Sequence, residues 1–244
     1  MIRHGETDAN KNHIMQGHAE WPLNELGLKQ AKAIGIRLEK FQFDRVYTSD
    51  LGRAKQTCFA IERASQYDLE VSEDILLRER HYGILENRPR SEYLELAKEQ
   101  GVPKSEAVIV DGETAGQVRA RCRNFLQKLE SRLQDIISNK HFEQQAQVTS
   151  ESEDFSNVSN CSSLHHNVSV LVVSHGGWIR QCLYHFRSLS THASVQNVRE
   201  VGKFANCGIT ELHIPLVCHR KKWSFDVSSV NFVKVNDHCH ILGL

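Results

Sequence analysis

The stretch Val168–Phe186, VSVLVVSHGGWIRQCLYHF, constrains the fold of this chain more than any other. Its first residues are valine and leucine with little polar alternation, the pattern of a strand covered on both faces. A Ser-His-Gly-Gly turn follows, and then Trp178, Ile179, Cys182 and Phe186 fall at helical spacing. A strand buried on both sides needs helices above and below it. With the strand and helix signals along the rest of the chain, the segment predicts a three-layer α/β/α domain with a mainly parallel central sheet. It also predicts where a ligand binds, because sites in such sheets form at the carboxyl ends of the strands.

The rest of the chain fits the same architecture. From Asn24, suited to an N-cap, the segment NELGLKQAKAIGIRLEKF places Leu28, Ala31, Ile34 and Leu38 on one helical face. FDRVYTSD reads as a short strand entering a polar turn, and LGRAKQTCFAIERAS as the next helix. A longer helix is predicted over 115–139, where Val118, Cys122, Phe125, Leu129, Leu133 and Ile136 keep spacings of three and four. The polar, serine- and glutamine-rich segment at about 140–167 has no apolar period and is expected to be a disordered insertion. GITELHI and KWSFDVSSVNFVKV read as two further strands, with the basic HRKK between them as a solvated turn. The whole of 1–244 is expected to be one domain.

Charge and cysteine usage exclude several function classes. Thirty basic residues balance thirty acidic ones, so no overall field attracts nucleic acid or an anionic membrane, although a local cationic pocket is compatible with that balance. No run of about 18 apolar residues is present to span a bilayer, nor is there the apolar core of a signal peptide. Seven cysteines without C-x-x-C spacing fit reduced thiols, and the expected location is cytoplasmic. His238–His240, HCH, lacks a complementary Cys/His pair, so no metal site is expected. A monomer is the default expectation.

Two strand-end loops each place a histidine beside glycine: RHGET with His4, and SHGG with His175. An imidazole that attacks phosphorus must be neutral, and a cation such as Arg3 beside His4 depresses its protonation. Phosphoryl transfer needs an in-line nucleophile, cations on the equatorial oxygens and a proton for the leaving oxygen. The helix after SHGG adds free N–H groups and the positive end of its dipole.

RHGET, YTSDLGRAKQT, LRERHYG, DGET and VVSHGG, in that order, resemble the histidine phosphatase superfamily, with its phosphoglycerate-mutase-like fold. Within it the chain is most similar to the TIGAR-type fructose-2,6-bisphosphatases, on IMQG, LRERHYG, the serine-rich insertion and NCGIT. The resemblance implies that His4 is a nucleophile that becomes phosphohistidine, that Arg3 and Arg53 hold the phosphoryl oxygens, and that His175 donates a hydrogen bond to them. It makes Glu79 the proton donor. A carboxylic acid donates only in its protonated form, which an incoming phosphate dianion favours and Arg78 and Arg80 oppose. Asn10, Gln16 and Gly17 match the loop that lines the substrate phosphate. The activity implied is hydrolysis of a small phosphorylated metabolite without a cofactor, fructose 2,6-bisphosphate to fructose 6-phosphate, which lowers glycolysis. A mutase-type phosphoryl transfer and a non-catalytic regulatory protein on the same fold are the alternatives.

Two features depart from the family pattern. Only Met1 and Ile2 precede RHG, so the first strand is expected to be truncated, at the loss of about 1.5–3 kcal/mol for each missing buried apolar side chain. Asn87 stands where glycine is frequent, and asparagine is among the residues that best tolerate a left-handed backbone.

Overall fold

A computed structural model describes residues 1–148, 167–191, 202–219 and 222–244. Its main sheet contains β1 (Ile2–Arg3), β2 (Arg45–Thr48), β3 (Val71–Glu73), β4 (Val170–Ser174), β5 (Ile209–His213) and β8 (Asn231–Asp237), in the order β3-β2-β4-β1-β5-β8. β2 is parallel to β3 and β4, and β4 is parallel to β1. β5 pairs antiparallel with both β1 and β8. The sheet is thus mostly parallel, as the apolar run of β4 requires. β1 is as short as the sequence implied, yet it holds a central position, with Ile2 opposite Val173 on one side and Ile209 on the other.

Strand alternation sorts side chains to the two faces. Val46 and Tyr47 on β2, and Leu171, Val172 and Val173 on β4, divide between two buried clusters. Ile2, Val46, Leu171 and Val173 pack against Ile34 and Leu38 of α2 (Glu25–Leu38) and Ala54, Cys58 and Ile61 of α3 (Gly52–Ala64). Tyr47 and Val172 pack on the opposite face, against Phe125 of α5 (Ala115–Val148) and Trp178 and Phe186 of α6 (Gly176–Leu189). The Phe125 ring meets both Tyr47 and Trp178 edge-on, with centroids 5.3 and 5.9 Å away. A third cluster, around Met15, Leu85, Tyr93 and Ile109, lies under α4 (Arg90–Glu99). The four-residue α1 (Asp8–Lys11) starts at a Thr7–Asn10 capping box.

Several expectations need correcting. Asn24 does cap α2, but Leu28 is 53% exposed, and the inward face is Gly27, Ala31, Ile34 and Leu38. The glycine faces inward because a Cβ at Gly27 would collide with the Glu6 backbone, so α2 docks there and Leu28 is turned out by one residue. α5 continues to Val148, so the start of the segment expected to be disordered is helical, while 149–166 lie outside the described residues.

KWSFDVSSVNFVKV is not one strand. A 3-10 turn at Val227–Ser229, with Asp226 accepting from the Ser228 N–H at 3.1 Å, divides it into β7 (Lys222–Phe225) and β8. β7 pairs with β6 (Leu216–His219) in a separate two-stranded sheet, and the centre of the HRKK turn falls outside the described residues. Asn87 has φ 64°, the left-handed conformation that asparagine accommodates. No helix among the described residues is long and apolar enough to cross a membrane.

Candidate active site

β1, β2 and β4 are parallel neighbours, so their carboxyl ends share one rim, and His4, Ser49 and His175 immediately follow them. Backbone bonds fix these loops to one another: the His4 N–H donates to Ser174 O at 3.0 Å, and the Ser49 N–H to Val173 O at 3.0 Å. His4 is 3% exposed and His175 fully buried, with ring centroids 5.1 Å apart.

His4 Nδ1 lies 2.7 Å from Gly5 O. A carbonyl oxygen can only accept, so Nδ1 carries the hydrogen and Nε2 keeps its lone pair. Protonation of His4 is held well below its ordinary value of 6.5, first by burial, then by the charges of Arg53 and Arg3, against a smaller opposing effect of Gly5 O. Burial thus outweighs the arginine that the sequence pointed to. His175 is depressed in the same direction, by burial and then by Arg53, His4 and Arg3. Its Nε2 is 2.9 Å from Ser49 Oγ, and its Nδ1 has no hydrogen-bond partner among the described residues.

Both arginines are anchored by backbone carbonyls. Arg3 Nη1 donates to Phe204 O, while Arg53 Nη1 and Nη2 donate to Ala19 O at 3.0 Å and Gly17 O at 2.7 Å. Arg53, which heads α3, is fully buried, and burial lowers its guanidinium to about 10. The Nε atoms of Arg3 and Arg53 are buried without a partner among the described residues. The site therefore combines two cations and two uncharged imidazoles.

Glu79 lies on the segment after the 3-10 turn at Ile75–Leu77. Its Oε1 accepts the Arg80 N–H at 2.8 Å and its Oε2 accepts the Gly177 N–H, near the start of α6, at 2.9 Å. Any side chain at Gly177 would collide with this carboxylate, which explains the second glycine of SHGG. Glu79 also interacts electrostatically with Arg3 and Arg53, as His4 and His175 do, so the five sequence-predicted groups lie near one another. The neighbouring arginines point elsewhere. Arg78 Nε donates to Asp50 Oδ1 at 2.8 Å, and Arg80 is buried against Ala107 O at 2.8 Å and Tyr93 Oη at 3.1 Å.

Asn10, Gln16 and Gly17 lie between β1 and α2. Gln16 is buried and accepts from Thr7 Oγ1 at 3.1 Å. Gly17 has φ +54° and offers its carbonyl to Arg53, and a side chain there would strike Glu86. Asn10 Oδ1 accepts from Thr7 N at 3.3 Å and from Asn206 Nδ2 at 3.2 Å.

Asn206, buried, also donates to His4 O at 2.9 Å, and Thr57 Oγ1 accepts the Gly5 N–H at 3.0 Å. Sequence reasoning assigned neither a role, nor Ser49. NCGIT and LGRAKQT were visible as motifs, but nothing in their residue types said which carbonyl or loop they would meet.

The arrangement can be set beside known proteins. Over 202 residues the chain is 39% identical to the fructose-2,6-bisphosphatase TIGAR of Bos taurus, covering 76% of this chain and 75% of that one. Over 232 residues it is 33% identical to the fructose-2,6-bisphosphatase TIGAR of Xenopus laevis, covering 86% and 83%. Among solved structures, a phosphoglycerate mutase from Bacillus anthracis str. Sterne superposes with a TM-score of 0.70 over 98% of this chain and 92% of its own, at 22% identity, a likeness of fold. The family profile of the histidine phosphatase superfamily (branch 1) matches residues 1–141. With two histidine loops at one sheet rim and relatives of this identity and coverage, the chain belongs to the histidine phosphatase superfamily.

Proposed function

We propose that the protein is a cofactor-independent phosphatase that hydrolyses fructose 2,6-bisphosphate to fructose 6-phosphate through a phosphohistidine at His4. The observation that carries this reading is the pinning of His4 Nδ1 by Gly5 O, which leaves an uncharged Nε2 as nucleophile beside Arg3, Arg53 and Glu79. The relatives' names support the substrate, since both are fructose-2,6-bisphosphatases.

In the first step His4 Nε2 attacks the phosphorus, the bond to the sugar oxygen breaks, and protonated Glu79 delivers its proton to that oxygen. Arg3 and Arg53 balance the charge on the equatorial oxygens. With the Ser49 hydroxyl donating to His175 Nε2, the hydrogen of His175 sits on Nδ1, whose buried donor gains a phosphoryl oxygen as partner. In the second step water attacks the phosphorus, Glu79 takes up its proton, and the P–N bond breaks to release phosphate and restore His4. In this reading Asn10, Gln16 and Gly17 shape the loop that receives the phosphate.

The test is phosphate release from fructose 2,6-bisphosphate, 2,3-bisphosphoglycerate, phosphoenolpyruvate and 3-phosphoglycerate, with His4→Ala as control. Fastest release from fructose 2,6-bisphosphate, abolished in folded His4→Ala, is expected. Release that survives His4→Ala would overturn the mechanism, and a different preferred substrate would overturn the specificity.

A further inference from the structure

DGET, residues 111–114, is a motif to which the proposed reaction gives no task. Its glutamate, Glu113, lies just before α5, whose first turn is closed by Thr114 and Gln117: Thr114 Oγ1 accepts the Gln117 N–H at 3.2 Å, and Gln117 Oε1 accepts the Thr114 N–H at 2.7 Å. Two turns into that helix Arg121 turns back onto the motif. Arg121 Nε donates to Glu113 Oε1 at 2.8 Å and Arg121 Nη2 to Glu113 Oε2 at 2.7 Å, a two-pronged pair with planar complementarity.

The remaining donors of the guanidinium go to one backbone segment. Arg121 Nη1 donates to Leu76 O at 3.0 Å and Arg78 O at 2.8 Å, and Nη2 also donates to Glu79 O at 2.9 Å. Glu113 holds the same segment from its other side, where Oε2 accepts the His81 N–H at 2.9 Å. His18 Nε2 is the third group to hold this segment and the second on Glu79 O, at 2.9 Å. The pair is mostly buried, at 17% and 21% side-chain exposure, so its geometry is set by packing rather than by solvent. Glu113 is held below the ordinary carboxylate range: burial pushes it up, but the hydrogen bonds from Arg121 and the His81 N–H outweigh that.

We propose that Glu113 and Arg121 are positioning residues that fix the backbone of 76–81 and thereby aim the Glu79 carboxyl at the leaving oxygen. This inference rests on the assignment of Glu79 as proton donor. Among the described residues the side chain of Glu79 is held by two backbone N–H groups, from Arg80 and Gly177. One of those belongs to the clamped segment itself. Loosening the clamp moves the donor relative to His4, which stands on a different loop, and misplacement of a catalytic group by about 1 Å can cost about 100-fold.

Leaving-group dependence separates aim from scaffold. A p-nitrophenolate departs without a proton, whereas the alkoxide of a sugar or glycerate phosphate needs one. The experiment compares Glu113→Gln, Arg121→Lys and Glu79→Gln with the parent, on p-nitrophenyl phosphate and on the panel substrate turned over fastest. Far-ultraviolet circular dichroism and thermal unfolding accompany the kinetics.

Expected is a fall in kcat/KM, which reports formation of the phosphohistidine and not its hydrolysis, of about 10–100-fold on the alkyl phosphate in the two clamp variants and more in Glu79→Gln, with kcat/KM for p-nitrophenyl phosphate changed less than about threefold. Equal loss on both substrates, or no loss, in folded clamp variants would overturn the inference while selective loss in Glu79→Gln keeps Glu79 as donor. If Glu79→Gln itself shows no leaving-group selectivity, the assignment of Glu79 falls and this inference with it. Failure of both clamp variants to fold would assign the pair to the scaffold alone and overturn the positioning role.

Discussion

Acidification from about pH 7.5 to about pH 5.5 is expected to destabilise the fold by up to about 3 kcal/mol through His4 and His175 alone. Both imidazoles are buried, and both are held well below their ordinary value of 6.5 by burial first and by Arg53 and its neighbours second. The direction follows from linkage. A base depressed in the folded state stays neutral there while the unfolded chain takes up the proton, so stability is complete above the unfolded value and is lost as the pH falls through it. For an unfolded histidine titrating near 6.5 and a folded one that stays neutral, that interval is worth about 1–2 kcal/mol, and the two together give about 3 kcal/mol at most. Against a usual net stability of about 5–15 kcal/mol, the loss is readily measured.

Urea unfolding at both pH values, compared between the parent and a His4→Gln/His175→Gln double variant, isolates the pair, because every other titrating group is common to the two. The parent should lose more stability than the variant, by up to about 3 kcal/mol. Equal losses would refute the reasoning: the imidazoles would then be charged in the fold, and a neutral nucleophile at His4 would lose its physical basis.

Gly177→Ala should leave the helix intact, since alanine is the better helix former, but its methyl group displaces the Glu79 carboxylate. A kcat lower by about 10–100-fold with nearly unchanged KM and melting temperature is expected in steady-state kinetics and thermal unfolding, and an unchanged kcat would contradict the contact. The two faces of α2 should respond oppositely to substitution. Ile34→Ala, at a fully buried position, should cost about 2–5 kcal/mol in chemical denaturation. Leu28→Lys, on the exposed face, should stay within about 0.5 kcal/mol, and a loss as large as that of Ile34→Ala would contradict the orientation of the helix.

Much of this molecule was legible from local pattern. The apolar run of β4 required cover on both faces, and together with the alternating strand and helix signals along the chain it led to a mostly parallel sheet between helical layers. Asn24 announced the start of α2, and the helical spacing from Val118 to Ile136 located the part of α5 that packs on Tyr47 and Trp178. The glycine-flanked histidines were visible as a pair because RHG and SHGG are like motifs, the second of them after a clear strand signal, and the expected family was recognisable from motifs in their order. Periodicity locates a helical face only to within about one residue, and α2 shows the consequence: docking against the Glu6 backbone chose Gly27 over Leu28.

What only the tertiary structure decided is where each charge is spent. Arg78 and Arg80 flank Glu79 in sequence and looked like its electrostatic opponents, yet one is paired with Asp50 and the other buried among Tyr93 and backbone carbonyls. Arg121 lies 42 residues along the chain from Glu79 and holds its carbonyl, while Asn206 reaches His4 across 202 residues. Residue type states what a side chain can donate or accept. Which partner it finds depends on backbone carbonyls and N–H groups brought within about 3 Å by packing of distant elements, a distance that no local pattern encodes.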